Sequence, residues 1–187
     1  MSGDAEMREV HEHMAAAMEG VAPLPGERLP VAECVGLVAA ERLVSRVDLP
    51  GFDNSAMDGY AVQAADLVRA GAGRGRGVRL QVIGELAAGE APTDAVRPGT
   101  AIQIMTGAPL PPGADAVVPV EDTYGGVKLV TITKTVPAGR HIRRRGEDLA
   151  AGSVVVSPGD LLTARRIGLV AAAGHGEVLV HPRPRVA

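Results

Sequence analysis

Two aspartates stand close together in one short polar segment, which runs from Pro50 to Val62 and reads PGFDNSAMDGYAV. Side chains of Asp, Asn and Ser hydrogen-bond to nearby backbone, so Asp53-Asn54-Ser55 favours a turn or a helix N-cap. Asp58-Gly59 is a second turn signal. A compact double turn could direct Asp53 or Asp58 outward to act on a metal ion or an anion. The spacing alone favours a plainer interpretation, which is a capped turn between two elements.

A threonine at the end of an apolar run is the second candidate. Thr106 follows residues 101–105 and opens a loop rich in Gly and Pro that extends to Asp115. A hydroxyl group and a backbone N–H at such a place could bind an anion. An ordinary Pro/Gly turn uses the same residue types. Taken by itself, this segment favours the turn.

The densest charge cluster is Arg143-Arg144-Arg145-Gly146-Glu147-Asp148. Three guanidinium groups could bind a phosphate or another oxyanion through paired hydrogen bonds. The two carboxylates that follow could hold Mg²⁺ or orient the arginines. A solvated loop that neutralises its own charge would have the same composition, and the sequence leaves both interpretations open.

Nucleophile and metal patterns of the familiar kinds are missing from the sequence. It contains no Ser-His-Asp or Cys-His arrangement, and His11 and His13 would point to different sides of a helix. Cys34 is the only cysteine, which excludes an internal disulfide and a cysteine-based metal cluster. We expect Cys34 to be a small buried apolar residue.

The composition indicates a globular protein with an aliphatic core. Of the 187 residues, 46% are hydrophobic, yet there is no Trp, one Phe and two Tyr. This length allows one large or two small domains. The net charge of −3 shows no basic excess, which argues against a nucleic-acid partner. No apolar run approaches the ~20 residues of a membrane span, and no secretory segment opens the chain. We therefore expect a cytoplasmic protein without a membrane partner.

Hydrophobic periodicity predicts the helices that flank these segments. Helices are predicted at residues 6–19, 64–69 and 164–173. In the first of them, an apolar stripe is expected to pack against the protein, and it consists of Met7, Val10, Met14 and Met18. A helical turn is predicted at 32–34. The Gly/Arg-rich segment 71–77 lacks the Lys and Ser/Thr of a phosphate-binding loop and is predicted to be a mobile surface connection.

Short β-rich runs bounded by Gly and Pro predict most of the strands. One long strand at 36–47 is expected to lead into the Pro50–Val62 segment. The remaining strands are predicted at residues 29–31, 60–62, 78–83, 101–105, 116–120, 127–133, 154–156 and 177–181.

The order of these elements predicts a mixed α and β protein, dominated by strands. Helix-containing sequence lies at both ends, and an all-β block lies between them. A discontinuous first domain of residues 1–48 and 149–187, with a small β-barrel-like domain of residues 49–148 inserted in it, fits this order better than two domains in series.

Four segments of the chain, in order, are similar to the MoeA family of molybdopterin molybdenumtransferases, which includes gephyrin's E domain among its relatives. Residues 49–62 resemble the family's signature. Residues 106–118 resemble its Thr-Gly-Ala-Pro segment, and residues 144–148 its Arg-x-Gly-Glu-Asp segment. Residues 166–174 resemble the helix that closes its N-terminal region. Several motifs in the right order are far more specific than any one of them.

The resemblance implies a reaction in molybdenum-cofactor biosynthesis. Such proteins take adenylylated molybdopterin and molybdate as substrates, cleave the adenylate with the help of Mg²⁺, and leave molybdenum on the dithiolene sulfurs. By the same resemblance, Asp58, Thr106 and Asp148 are the expected catalytic residues. Arg143, Arg144 and Ser55 are expected to bind the substrate or its anionic groups, and Asp58 or Asp148 could contact the metal.

The family also implies an architecture and partners. Its pterin-binding domain follows the segments matched here, so the sequence resembles the first two domains only, as an expressed fragment or a truncated product. We expect an elongated first domain that forms a homodimer, a chain that does not insert molybdenum alone, and contacts with other molybdenum-cofactor biosynthesis proteins.

Two other functions remain open from the sequence. The chain could be a non-catalytic dimerisation and protein-binding scaffold of gephyrin-like ancestry, or an unrelated β-barrel binding module. The acidic segment and the Arg/acidic loop favour the enzyme, because a scaffold needs neither.

Overall fold

The computed structural model describes residues 9–69 and 77–185. Its helices are α1 (Val10–Met18), α2 (Ala64–Arg69) and α3 (Ala164–Ala172), with 3₁₀ turns at Val31–Glu33 and Val120–Asp122. Its strands are β1 (Glu27–Pro30), β2 (Val38–Ala39), β3 (Leu43–Val44), β4 (Asn54–Ser55), β5 (Gly59–Val62), β6 (Val78–Leu86), β7 (Thr100–Ile104), β8 (Ala116–Pro119), β9 (Thr123–Tyr124), β10 (Leu129–Ile132), β11 (Ile142–Arg143), β12 (Val154–Val156) and β13 (Glu177–His181).

The chain divides into two compact units. The first lies within residues 1–43, 156–171 and 175–187, and the second comprises residues 44–155 and 172–174. The second unit contains the stretch 49–148 that the sequence assigns to an inserted domain, while the exact domain boundaries stay a prediction. None of the described helices is long and apolar enough to span a bilayer.

Most predicted elements are confirmed, with small shifts at their ends. The predicted strands at 154–156 and 177–181 and the predicted helix at 64–69 coincide with β12, β13 and α2. The predicted helix at 6–19 is α1 as far as the structure describes it, since residues 6–8 lie outside the described range. The predicted loop at 71–77 also lies outside that range, apart from Gly77.

The prediction of a single strand at 36–47 is wrong. The structure has two short strands there, β2 and β3, separated by residues 40–42. The chain leaves the extended conformation because the Glu41 carboxylate accepts hydrogen bonds from the Leu179 N–H, at 2.8 Å, and from the Arg28 guanidinium. These partners lie far away in sequence, so local apolar periodicity could not reveal the bend.

The first unit is built on a three-stranded antiparallel sheet with the order β1-β13-β2. Along the central β13, Val178 and Val180 are buried while Glu177 is exposed, which is the alternation of a strand with one core face. Cys34 is buried, as predicted. The apolar stripe of α1 does not pack as predicted, because Met14 and Met18 are each 63% exposed and no described residue of α1 is buried.

The second unit is a barrel-like, nearly closed sheet of six strands in the order β8-β5-β7-β6-β10-β9. All pairs are antiparallel except β6 with β7. Tyr60 and Val62 of β5 belong to one buried apolar cluster, and Ala61 between them belongs to another. Alternation along a strand therefore buries both faces of this sheet.

The second apolar cluster anchors the segments that carry the candidate site. Besides residues of the sheet, it includes Ala108, two positions after Thr106, and Ile142, directly before Arg143. Both side chains are buried, Ala108 completely and Ile142 to all but 9%. The polar segments are thus fixed to the sheet through apolar neighbours in their own sequence.

Replacing Gly59 by alanine tests the packing of β5. An added Cβ would lie 2.0 Å from the Val118 carbonyl oxygen and 3.0 Å from Pro119 Cα, both backbone atoms of β8. Since the two paired strands must separate to admit it, we expect Gly59→Ala to lower the free energy of unfolding by about 3 kcal/mol, measured by urea denaturation followed by circular dichroism.

The matched control for this substitution is Gly168→Ala. Gly168 lies in α3, and an added Cβ would meet no atom within 4 Å. Alanine favours a helix over glycine by up to about 1 kcal/mol, so the control should be neutral or stabilising. Equal urea midpoints for Gly59→Ala and the wild type would contradict the close approach of β5 and β8.

Candidate functional site

Three polar segments that are distant in sequence meet at the two-residue strand β4. On one side, the Ser55 N–H donates to the Ala108 carbonyl at 3.0 Å, and the Gly107 N–H donates to the Ser55 carbonyl at 2.8 Å. On the other side, β4 pairs with β11, with Arg143 opposite Asn54. The Thr106 loop and the Arg143–Asp148 cluster therefore flank the same short strand, within the second unit.

Asn54 and Ser55 are buried and serve the turn itself. The Asn54 side-chain amide donates to the Phe52 carbonyl at 3.2 Å, and the Ser55 hydroxyl donates to the Met57 carbonyl. The predicted bonding of the Asn54 and Ser55 side chains to nearby backbone is confirmed, whereas these two residues form a strand and the Asp53 carboxylate binds the arginine cluster instead. Because the only hydroxyl proton of Ser55 is engaged there, the structure gives this residue a role in holding the turn; its predicted role in anion binding stays a prediction.

Asp58 and Thr106, two of the predicted catalytic residues, are in direct contact. The Thr106 N–H and hydroxyl both donate to Asp58 Oδ1, at 2.7 and 2.8 Å. Asp58 is exposed, and its other oxygen, Oδ2, makes no hydrogen bond to a described residue. One oxygen of the carboxylate is thus fixed, and the other is available to a ligand.

These two hydrogen bonds also set the charge of Asp58. The Thr106 backbone N–H, and after it the hydroxyl, hold the pKa of the Asp58 carboxyl below its usual value, because both stabilise the ionised form. Asp58 is therefore an anion at neutral pH. The same contact uses both donors that sequence reasoning had assigned to an anionic ligand, so in this structure Thr106 positions Asp58.

The arginine loop, defined here as residues 143–148, is held by aspartates from outside the cluster. Arg144 Nη1 donates to Asp53 Oδ2 at 2.6 Å, and the Arg145 N–H donates to Asp53 Oδ1 at 2.8 Å. Arg145 Nε donates to Asp48 Oδ2 at 2.6 Å, and Asp48 Oδ1 accepts from the Ala151 N–H. Two carboxylates thus bind four donors of the loop and the chain that follows it.

Both of these aspartates are ionised because of these contacts. The Arg145 N–H, and then the Arg144 guanidinium, lower the pKa of Asp53. The Ala151 N–H, and then the Arg145 guanidinium, lower the pKa of Asp48. Sequence reasoning considered Asp53 only as a residue that could act on a metal ion or an anion, and it did not name Asp48. Neither ion pair was predicted, since nothing local pairs residues 91 or 97 positions apart.

The other two predicted residues of the loop are exposed. The side chains of Arg143 and Asp148 make no hydrogen bond or ion pair to any residue within 9–69 or 77–185. Glu147 instead accepts from the Arg144 N–H at 2.7 Å, which closes a local turn. No group of three or more His, Cys, Asp or Glu residues is arranged to hold a metal ion within the described residues.

Comparison with known proteins decides the family. Residues 8–174 match the model of the MoeA N-terminal region, domains I and II. The chain belongs to this family. Molybdopterin molybdenumtransferase 2 of Mycobacterium tuberculosis is 46% identical over 180 residues, which cover 96% of this chain and 44% of that protein. Molybdopterin molybdenumtransferase of Synechococcus elongatus is 43% identical over 159 residues, 84% of this chain and 39% of that protein.

A solved structure agrees with the MoeA assignment. The molybdopterin biosynthesis moeA protein from Pyrococcus horikoshii OT3 superposes with a TM-score of 0.87 at 32% identity, over 93% of this chain and 46% of that one. The chain therefore spans less than half the length of the relatives that it matches.

Acidification tests the charge on Asp53. Its pKa is lower in the folded chain than the unfolded value of about 3.9, so its contribution to stability is complete above about pH 5 and is lost as the pH falls through the folded-state pKa. We expect Asp53→Asn to unfold at a lower urea concentration than the wild type at pH 6, and the difference to shrink steadily between pH 5 and pH 3.

The control is Asp148→Asn, in the same loop, whose side chain contacts no described partner. Its urea midpoint should follow that of the wild type at every pH. A difference between Asp53→Asn and the wild type that is independent of pH would show that the contact does not depend on the ionised carboxylate.

Proposed function

We propose that the chain is the N-terminal region of a molybdopterin molybdenumtransferase and acts in molybdenum-cofactor biosynthesis. In this proposal the whole enzyme inserts molybdenum from molybdate into adenylylated molybdopterin. The observation that carries the proposal is the meeting of three family motifs at β4, with an ionised Asp58 beside them that has one oxygen fixed and one free. The names of the MoeA relatives support molybdenum transfer to molybdopterin, and the family resemblance adds the adenylylated form of the substrate.

The described residues suit cleavage of an adenylate by water. An ionised Asp58 accepts a hydrogen bond, so Oδ2 can orient a water molecule for attack on a phosphorus atom of the phosphoanhydride. The bridging P–O bond breaks, AMP leaves, and the proton of the water passes to the solvent. A carboxylate with a lowered pKa is a weak base, so Asp58 contributes by orientation and does not store the proton. Thr106 keeps the carboxylate from rotating by binding Oδ1 with two donors.

The arginines supply positive charge for the anionic substrates. Arg143 is exposed, and the guanidinium of Arg144 uses only one nitrogen, Nη1, on a protein partner among the described residues. A guanidinium group binds phosphate and other oxyanions through parallel N–H donors. Arg143 and Arg144 are therefore the proposed anion-binding residues.

The donor set fits a magnesium ion that is held mainly by its substrate. Mg²⁺ in phosphoryl-transfer sites usually takes one or two protein carboxylates, several waters and substrate phosphates. Asp58 Oδ2 and the Asp148 carboxylate each lack a partner within the described chain, so either could be that ligand. When bound, the ion would neutralise charge on the phosphoanhydride.

The family resemblance adds three further elements to the proposal. They are a homodimer formed through the first domain, contact with other molybdenum-cofactor biosynthesis proteins, and a cytoplasmic location. In the proposal this chain supplies one side of the active site, and the share of the relatives that it does not cover supplies the rest.

A chimera tests the proposed function. The N-terminal 44% of the M. tuberculosis transferase 2, which this chain matches, is replaced by the chain, and the product is expressed in a bacterial strain without its own transferase. We expect the chimera to restore molybdenum bound to molybdopterin, measured by elemental analysis. A folded chimera that restores none, while the intact transferase does, would refute the proposal.

Within the chimera, Asp58→Asn should slow molybdenum insertion by about 100-fold, because a neutral amide orients water poorly. Thr106→Val, which removes one of the two donors to Oδ1, should cost about 10-fold. Asp94→Asn is the matched control, since this exposed aspartate of the same unit accepts only from the neighbouring Thr93. An unchanged rate for Asp58→Asn would exclude Asp58 from the chemistry.

A further inference from the structure

Asp53 has no part in the chemistry proposed so far, yet it makes two hydrogen bonds to the arginine loop. Its oxygens accept from Arg144 Nη1 at 2.6 Å and from the Arg145 N–H at 2.8 Å. Its side chain is only 35% exposed, while that of Arg144 is 53% exposed. Both oxygens of this carboxylate are therefore engaged with the arginine loop.

We propose that Asp53 is a positioning residue, which orients the Arg144 guanidinium toward an anionic group of the substrate without touching the substrate itself. This inference rests on the proposed function of Arg144. A carboxylate repels phosphate and molybdate, so Asp53 cannot be their ligand, whereas its hold on Nη1 fixes the plane of the guanidinium group. Nε and Nη2 of Arg144 make no hydrogen bond to a described residue and remain donors for an anion.

The neighbouring arginines show what this contact adds. The Arg143 side chain makes no hydrogen bond or ion pair to a described residue, so its guanidinium is not held in one orientation. Arg145 is bound through Nε by Asp48, which also accepts from the Ala151 N–H. Asp48 and Asp53 thus make the same pair of contacts, one guanidinium and one backbone N–H each. Only Asp53 acts on the arginine that we assign to anion binding.

This symmetry provides a matched control. Asp53→Asn keeps an acceptor oxygen at only one of the two carboxylate positions and places an NH₂ donor at the other, opposite either Arg144 Nη1 or the Arg145 N–H, so one of the two contacts is lost. Asp48→Asn makes the same change at the other contact. Both variants should loosen the loop to a similar degree, and only Asp53→Asn should disturb Arg144.

The test is a calorimetric titration of the purified chain with inorganic pyrophosphate, which carries the phosphoanhydride, and in a parallel arm with molybdate. Pyrophosphate represents the phosphoanhydride of the adenylylated substrate, and molybdate is the second anionic substrate. We expect Asp53→Asn to weaken the binding of at least one of them by about 10-fold, while Asp48→Asn binds both like the wild type. In an Arg144→Gln background, Asp53→Asn should have no further effect, because Asp53 acts through Arg144.

Several results would overturn the inference. They are equal affinities of Asp53→Asn and the wild type for both anions, equal losses in Asp53→Asn and Asp48→Asn, or a further loss in the Arg144→Gln background. Absence of binding by the wild-type chain in both arms would overturn it as well. Failure of the proposed function has a separate sign, an inactive chimera, whatever the titrations give.

Discussion

The two-residue strand β4 has hydrogen-bonded neighbours on both edges, and the arrangement of the candidate site depends on this double pairing. A strand this short has little stability of its own, because each ordered residue costs about 1–2 kcal/mol of backbone entropy. Its buried side chains donate to the carbonyls of Phe52 and Met57, and the backbone N–H and carbonyl groups of the strand bond to the neighbouring segments. The polar run in the sequence is thus the means by which three distant segments are brought together.

Three aspartates near this strand differ in how many of their carboxylate oxygens are hydrogen-bonded within the protein. Both carboxylate oxygens of Asp48 and of Asp53 accept hydrogen bonds from the arginine loop or from the chain that follows it. In Asp58, Oδ1 accepts both hydrogen bonds from Thr106, and Oδ2 has no partner among the described residues. Residues of the same type, within eleven positions of the chain, are therefore fully bound by the protein in two cases and have an oxygen available to a ligand in the third.

Local signals in the sequence account for the elements that were predicted well. Strand alternation, turn residues and helical periodicity act over a few residues, and they located β6, β7, β10, β13 and α3 to within a few positions. The bend at Glu41 was missed because its partner Leu179 lies 138 positions away. The clamp of Asp53 on Arg144 was missed for the same reason, since a separation of 91 positions leaves no periodic trace.

The candidate site could be predicted only as far as motifs reach. Resemblance to the MoeA family selected Asp58, Thr106 and the arginine loop, and the structure brings the segments that carry them to one strand. The resemblance could not tell which hydrogen-bond donors are already bound to acceptors inside the protein. That distinction separates Thr106, whose two donors bind Asp58, from Arg143, whose side chain binds no described residue.

The alternating burial of β5 places a limit on how the family's sequences can change in length. Tyr60 and Val62 fill one apolar cluster and Ala61 the other, so a single inserted or deleted residue in this strand would exchange the two sets. A tyrosine would then have to enter the space of an alanine. Insertions and deletions that preserve the fold must therefore fall in the connections between strands, outside Gly59–Val62.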